Sequence, residues 1–386
     1  MNAYKFALSP SLRRAEQLDP EASPARKAIL VLGMHRSGTS ALTRVLGFCG
    51  AALPRRNLGD SHESNPLGHW EPQRIVDAHD RFLEEAGTAW DAVTGFPDAM
   101  FTTELAETCR QQLIDIVASE YGNSRLFVLK DPRTSRLLPL WRPVLDRIHA
   151  APHAIIVVRN PLEVASSLQR RDGWDEYRAL VVWLRYLLSA ERETRDMPRC
   201  FVKYDDLMEN WRAVVRNISA HLDLPLTIGN ADIDRQVDRF VRQDLKHHQR
   251  PTAELLYRGD IADCVKQAYS CFSSAAETGT VDYAALNAIA EALDGAERVF
   301  KRMRSIGAKA SLRTISVGAT PPERRDALLA LVLAEFGRAT DVAERSERVL
   351  KQVLSSRSWR FTRMFRAFGR AVERLIHPPV RLSGRS

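Results

Sequence analysis

The chain has 386 residues, 45% of them apolar and 27% charged, proportions that suit a folded globular protein with room for more than one domain and argue against disorder. Its five cysteines (49, 109, 200, 264 and 271) form no C-x-x-C pair and are odd in number, which argues against a disulfide framework or a zinc site and suggests a reduced, cytoplasmic protein. The net charge of +8 is local: residues 351 to 386 carry nine Lys or Arg and one acidic residue, so the rest of the chain is balanced and only the tail suits an anionic surface.

From the N-terminus, residues 1–25 hold no continuous apolar run of the kind a signal peptide needs. The first expected element is AILVLG (28–33), an apolar strip of the type buried on both faces of a sheet. GMHRSGTS (33–40) follows directly and opens a helix whose Ala41, Leu42, Val45 and Leu46 share one face. Gly33 and Gly38 keep the spacing of the loop G-x-x-x-x-G-K-[ST], but Thr39 and Ser40 stand where that loop has its lysine and hydroxyl. The cation here is Arg36, two residues before the second glycine. Strand, glycine turn and helix N-terminus together make an anion site, because unpaired N–H groups and the helix dipole face the ligand.

RLFVLK (125–130), AIIVVR (154–159) and CFVKY (200–204) are three further expected strands, separated by helical patterns. This alternation predicts an α/β protein with a central parallel sheet between two helical layers. Ligands in such sheets collect beyond the carboxyl ends of the strands. There the sequence has Arg36, then Lys130 in KDPR (130–133), Arg159 in RNPLEVASS (159–167) and Tyr204 in YDDL (204–207), all expected to converge on one crevice. Asn160 is the expected helix cap, with Pro161 at the first helical position and Glu163 completing a capping box. Asp131-Pro132 repeats that cap-then-proline logic, and Asp205 and Asp206 are expected to cap the helix after the fourth strand. Trp211, Val214, Val215, Ile218 and Leu222 recur at helical spacing and should cover the sheet.

Beyond about residue 255 the patterns are helical, at 284–303 and 323–355, with Gly318 to Pro322 as the candidate linker. The expected division is an N-terminal segment 1–25, a domain 26–255, a helical extension 256–350 and a basic amphipathic tail 351–386. The apolar run 179–188 is too short to span a bilayer and contains Arg185.

With these residues set out, the turn resembles the 5′-phosphosulfate loop of sulfotransferases that use 3′-phosphoadenosine-5′-phosphosulfate (PAPS). The resemblance implies that Arg36, Ser37, Gly38, Thr39 and Ser40 surround the phosphosulfate. Arg159 and Ser167, eight residues apart, resemble that family's 3′-phosphate motif, with Ser166 as the adjacent alternative. Tyr204 occupies the adenine position, and Lys130 the position that reaches the bridging oxygen of the sulfate. KDPR is shared with carbohydrate and protein sulfotransferases, and Arg133 is a candidate nucleotide or acceptor contact. Glu71, in NPLGHWE (65–71), stands where carbohydrate and tyrosyl-protein members have a catalytic glutamate; His62 and His69 are the rival bases. The family's Arg-Lys-Gly triplet is missing, and Lys246, His247 and His248 are its candidate substitute.

The resemblance implies a P-loop-like sulfotransferase fold with a helical C-terminal extension, PAPS as co-substrate, no metal, and a hydroxyl acceptor on a saccharide or glycolipid. In the tail, SSRSWRFTRMFRAFGRAVERLI (355–376) interleaves aromatics with arginines, as in a helix lying in an anionic membrane interface at the inner face; packing on protein is the alternative. No nucleic-acid module accompanies these arginines, so nucleic acid is not an expected partner. The rival readings are a nucleotide kinase or ATPase, which the missing loop lysine disfavours, and a non-catalytic membrane-associated nucleotide-binding module.

Overall fold

The computed structural model describes residues 26–56, 70–242 and 250–311, with backbone alone over 299–311. His62, His69, Lys246, His247, His248, the candidate linker, the 323–355 helical pattern and the basic tail lie outside the described residues. Four strands form one parallel sheet: β1 (Arg26–Leu32), β2 (Leu126–Leu129), β3 (Ala150–Val158) and β4 (Arg199–Lys203), in the order β2-β1-β3-β4. In chain order the helices are α1 (Thr39–Phe48), α2 (Gln73–Glu85), α3 (Glu104–Tyr121), α4 (Thr134–Arg147), α5 (Pro161–Asp172), α6 (Glu176–Glu193), α7 (Tyr204–His221), α8 (Ala231–Arg242), α9 (Thr252–Tyr257), α10 (Asp263–Thr278) and α11 (Tyr283–Ser311).

The apolar strips become strands because both their faces are covered. Ile29, Val31, Val128, Ile155, Val157 and Val202 face a cluster made by Leu42, Val45 and Leu46 of α1 and by Leu207, Trp211, Val215 and Ile218 of α7. The alternate residues, among them Leu30, Leu129 and Ile156, are equally buried, and α4 and α6 pack on β3. That makes the expected three-layer α/β/α arrangement. Val214 and Leu222 join the α7 side as foreseen, Val214 only partly buried.

The strand ends lie within one or two residues of the sequence reading except at the start of β3, and two of the shifts matter. β3 begins at Ala150, four residues before the apolar strip, because its first residues pair with Arg26–Ala28 of β1. β4 stops at Lys203, and Tyr204 opens α7 rather than closing the strand.

The strand order sets the site. β1 connects to β2 on one side, whereas β3 connects to β4 on the other, so the connections diverge between β1 and β3. A crevice opens beyond the carboxyl ends at such a point. The residues that follow those two ends are the glycine turn and Arg159.

The chain divides into two compact units, one formed by residues up to Ile261 with Val265–Tyr283, the other by Ala262–Cys264 with the residues from Ala284 onward. The first holds the sheet and the residues of the candidate site. In the second, the described element is α11.

Candidate active site

The turn between β1 and α1 has a backbone that few residues allow. Gly33 has φ 141°, and a Cβ there would lie 2.9 Å from the carbonyl oxygen of Val157 on β3. Its N–H donates to Ser135 Oγ at 2.9 Å. Gly38 has φ 88°, and a Cβ there would lie 2.1 Å from Cδ2 of Tyr204. The second glycine is therefore required twice, by left-handed backbone and by an aromatic ring lying against it. Arg36 is also left-handed, at φ 67°.

The first helical N–H to find an acceptor is that of Leu42, on the Gly38 carbonyl. No side chain caps α1, so the preceding N–H groups have the orientation from which helices bind anions. Inside the turn, the Ser37 hydroxyl is buried and has no hydrogen-bond partner. A buried hydroxyl left in that state costs stability unless a ligand completes it, so the turn fits an anionic group.

Remote residues close around the turn. Arg36 Nε donates to Ser167 Oγ at 2.8 Å, and Arg159 Nη1 donates to the Arg36 carbonyl at 2.8 Å. The Arg159 guanidinium also lies 4.2 Å from the centre of the Tyr204 ring, so that ring rests between Gly38 and a cation. Arg36, Arg159, Ser167 and Tyr204 thus meet as expected. In the structure the hydroxyl of Ser167 is held by Arg36, not by Arg159. Burial first, and then Arg171 and Arg159, lower the Arg36 guanidinium to a pKa of about 10. Such a crowd of desolvated cations favours an anion.

Glu163 does not complete a capping box. One of its oxygens accepts from Arg159 Nε at 2.8 Å and the other from the Arg250 backbone N–H at 2.8 Å, so it orients Arg159. The rest of the cap is as expected: Asn160 Oδ1 accepts from Leu162 N at 3.0 Å, with Pro161 at the first helical position. Asp205 and Asp206 cap nothing, because α7 starts one residue earlier; they lie in its first turn, where negative charge meets the helix dipole.

On the β2 side, Lys130 and Glu71 form a buried ion pair, with side chains 2% and 7% exposed. Lys130 Nζ also donates to Ser40 Oγ at 2.8 Å, tying the pair to α1. One turn further along α1, the Arg44 guanidinium lies between the rings of Phe48 (4.0 Å) and Trp70 (4.2 Å), and Trp70 takes a left-handed φ of 55° beside Glu71. Burial raises the Glu71 pKa above the ordinary carboxylate value, and the Lys130 charge draws it partly back.

Beneath this pair lies a network that the sequence reading missed. Trp141 Nε1 donates to His79 Nε2 at 2.9 Å, which leaves the proton on Nδ1, 2.7 Å from Asp131 Oδ2. Asp131 also accepts from Arg133 Nη1, and Arg133 forms a two-pronged pair with Asp80 at 2.6 and 2.9 Å. Asp131 does bond the Arg133 N–H, at 3.0 Å, but its larger work is this network; α4 starts only at Thr134. Burial alone would raise the Asp131 pKa, yet Arg133 and then His79 hold it well below the usual range. Arg133, expected as a ligand contact, is largely buried and committed to two carboxylates. The signal that could have found it was His79 itself, a polar residue among the apolar positions Ile75, Phe82 and Leu83 of α2.

His35 was also passed over, although it lies in the turn itself. It is 9% exposed, with its ring 4.3 Å from that of Trp90 and edge-on to Tyr186 at 5.8 Å. All five cysteines are free thiols, and burial lifts Cys49 to a pKa of about 11 and Cys109 and Cys200 to about 12. Among the described residues no group of three or more His, Cys, Asp or Glu could hold a metal ion.

Solved structures similar to this chain include the sulfotransferase domain from the curacin biosynthetic pathway, 18% identical, covering 61% of this chain and 99% of that one with a TM-score of 0.32. The sulfotransferase STF1 from Mycobacterium tuberculosis H37Rv is 17% identical over 64% of this chain and 77% of its own, with a TM-score of 0.34. The sulfotransferase domain from the Synechococcus PCC 7002 olefin synthase is 20% identical over 62% of this chain and 94% of its own, at 0.30. No curated protein sequence matches the chain. The model of the sulfotransferase family matches residues 28–227, the span from β1 to just past α7 that contains every contact of the crevice except those of Arg250, and the chain belongs to that family.

Proposed function

We infer that this sulfotransferase moves a sulfuryl group from PAPS to a hydroxyl acceptor on a saccharide or glycolipid. The observation that carries the reading is the meeting of Arg36, Arg159 and Ser167 around the glycine turn, with the buried Glu71–Lys130 pair anchored to the same helix through Ser40. In this reading Arg36, Ser37, Gly38, Thr39 and Ser40 hold the phosphosulfate through side chains and helix-start N–H groups. Arg159 and Ser167 hold the 3′-phosphate, and Tyr204 borders the adenine. When bound, PAPS supplies an activated sulfuryl group with a phosphate as its leaving group.

Lys130, Arg36 and the α1 N-terminus meet the negative charge that develops on the leaving oxygen. Glu71 takes the proton of the attacking hydroxyl. A carboxylate whose pKa is raised by burial is a better base than an exposed one, and an anion that draws Lys130 away strengthens it further. In this proposal Arg36, Lys130 and the α1 N-terminus supply the positive charge at the leaving group, and the mechanism invokes no metal. The acceptor class rests on KDPR, NPLGHWE and the basic tail, which in this reading also brings the protein to an anionic membrane surface on the cytoplasmic side. No described helix is long and apolar enough to cross a membrane.

Two measurements test the reading. Titration should show 3′,5′-ADP, the desulfated product, binding without magnesium and more tightly than ATP; a preference for magnesium-ATP would return the site to the kinase class. Incubation with PAPS carrying labelled sulfur and an extract of cell-surface glycans and lipids should label a saccharide-bearing product. Label recovered only in free sulfate would remove the proposed acceptor class.

A further inference from the structure

Seven buried side-chain nitrogen or oxygen atoms among the described residues have no hydrogen-bond partner, and two of them, His35 Nε2 and Ser37 Oγ, belong to this one turn. Unsatisfied buried groups are rare in native proteins, and their concentration beside a ligand site points to the ligand as the missing partner. Resting on the PAPS reading of the crevice, we propose that His35 donates a hydrogen bond to the sulfuryl group of the donor, so that the site distinguishes the sulfated nucleotide from its desulfated product.

The ring is held where a hydrogen bond can be aimed. His35 lies against Trp90, Trp90 stacks on Trp174 with ring centres 5.3 Å apart, and the Arg178 guanidinium lies 4.4 Å from Trp174. The Trp90 carbonyl accepts from Arg136 Nη1 and from the Tyr186 hydroxyl, so the column is fixed at its middle. A residue wanted only for its flat apolar faces would not need the ring nitrogens.

Successive side chains of the turn also serve different ends of the crevice. Arg36 reaches Ser167 on α5, whereas three of the four charges that act on His35, those of Arg133, Asp131 and Lys130, lie beyond β2, the other being Arg171 of α5. Lys130 is paired with Glu71, the proposed base, so His35 belongs to the reacting end. Burial, and next the Arg133 charge, push the imidazole pKa well below its ordinary value. The ring therefore adds a neutral donor to a site already rich in cations, selecting oxygen atoms and not net charge.

The test compares dissociation constants of the full chain for PAPS and for 3′,5′-ADP without acceptor. His35→Phe keeps a ring for Trp90 and removes the nitrogens. It should weaken PAPS binding by about tenfold or more, with 3′,5′-ADP changed by less than about twofold and thermal unfolding unaltered. Equal weakening for both nucleotides, or no change for either, overturns the proposal. In the unsubstituted protein the His35 ring-nitrogen NMR shift should move with PAPS and stay in place with 3′,5′-ADP, a readout that survives if the variant fails to fold. Movement with both ligands, or with neither, also overturns it. Failure of the unsubstituted chain to bind either nucleotide overturns the PAPS reading itself, and this proposal with it.

Discussion

Glu71 has a cation on one side and burial on every other, and these act on its proton in opposite directions. As the proposed base it must be ionised, so turnover should be complete above its raised pKa and fall as pH drops through it. The acid limb of kcat/KM should accordingly lie above the ordinary glutamate value of about 4.3; a limb at or below that value would assign the proton transfer elsewhere. Glu71→Gln preserves a hydrogen-bonding partner for Lys130 and should lower turnover by roughly a hundredfold or more with 3′,5′-ADP binding retained. Arg159→Ala should weaken 3′,5′-ADP binding by about 1.5–3 kcal/mol, the scale of a charged hydrogen bond, as measured by calorimetry. At this scale the sequence was legible wherever a residue follows a strand end: Arg36, Lys130, Arg159 and Tyr204 could be gathered from topology, and Ser167 from the family resemblance. What it hid was partner choice. That Glu163 turns away from its own helix start depends on the backbone of Arg250, remote in the chain, and the burial of His35 depends on Trp90, in a stretch without periodicity.

The glycine turn and α1 are stable only as part of a larger contact. Gly38→Ala places a methyl group into the Tyr204 ring and an L-residue at φ 88°, so it should cost about 2–5 kcal/mol from backbone and overpacking terms together. Urea unfolding would measure this, and a loss below about 0.5 kcal/mol would mean that α7 yields easily. The segment after β2 has a comparable dependence. Asp131→Ala leaves Arg133 facing one carboxylate instead of two and strands His79, and should cost about 3–5 kcal/mol, the scale of a broken buried ion pair. The same measurement in the presence of saturating 3′,5′-ADP should show a parallel loss, because Asp131 supports the fold beneath the site. Apolar strips and helical periodicity located the elements, including α7. Their ends were less legible: the start of β3 is fixed by pairing with β1, and Tyr204 is helical because β4 has already ended.

Across the whole domain, the alternation of strands and helices was enough to predict a parallel sheet covered on both faces, but not the order β2-β1-β3-β4 that puts the divergence next to Arg159. Order depends on which strands pair, and local patterns carry no record of it. The packing of Tyr204 against Gly38 carries a consequence in time. The turn leaves the ribosome well before the ring it rests on, the arginine that clasps its carbonyl and the serine that receives Arg36, all of which are synthesised later. Nascent chains stalled before Tyr204 emerges should not be retained on immobilised 3′,5′-ADP, whereas chains stalled well beyond α7 should be, since non-local contacts form only when both partners exist. Translation thus withholds a sticky anion trap until the domain that governs it is nearly complete.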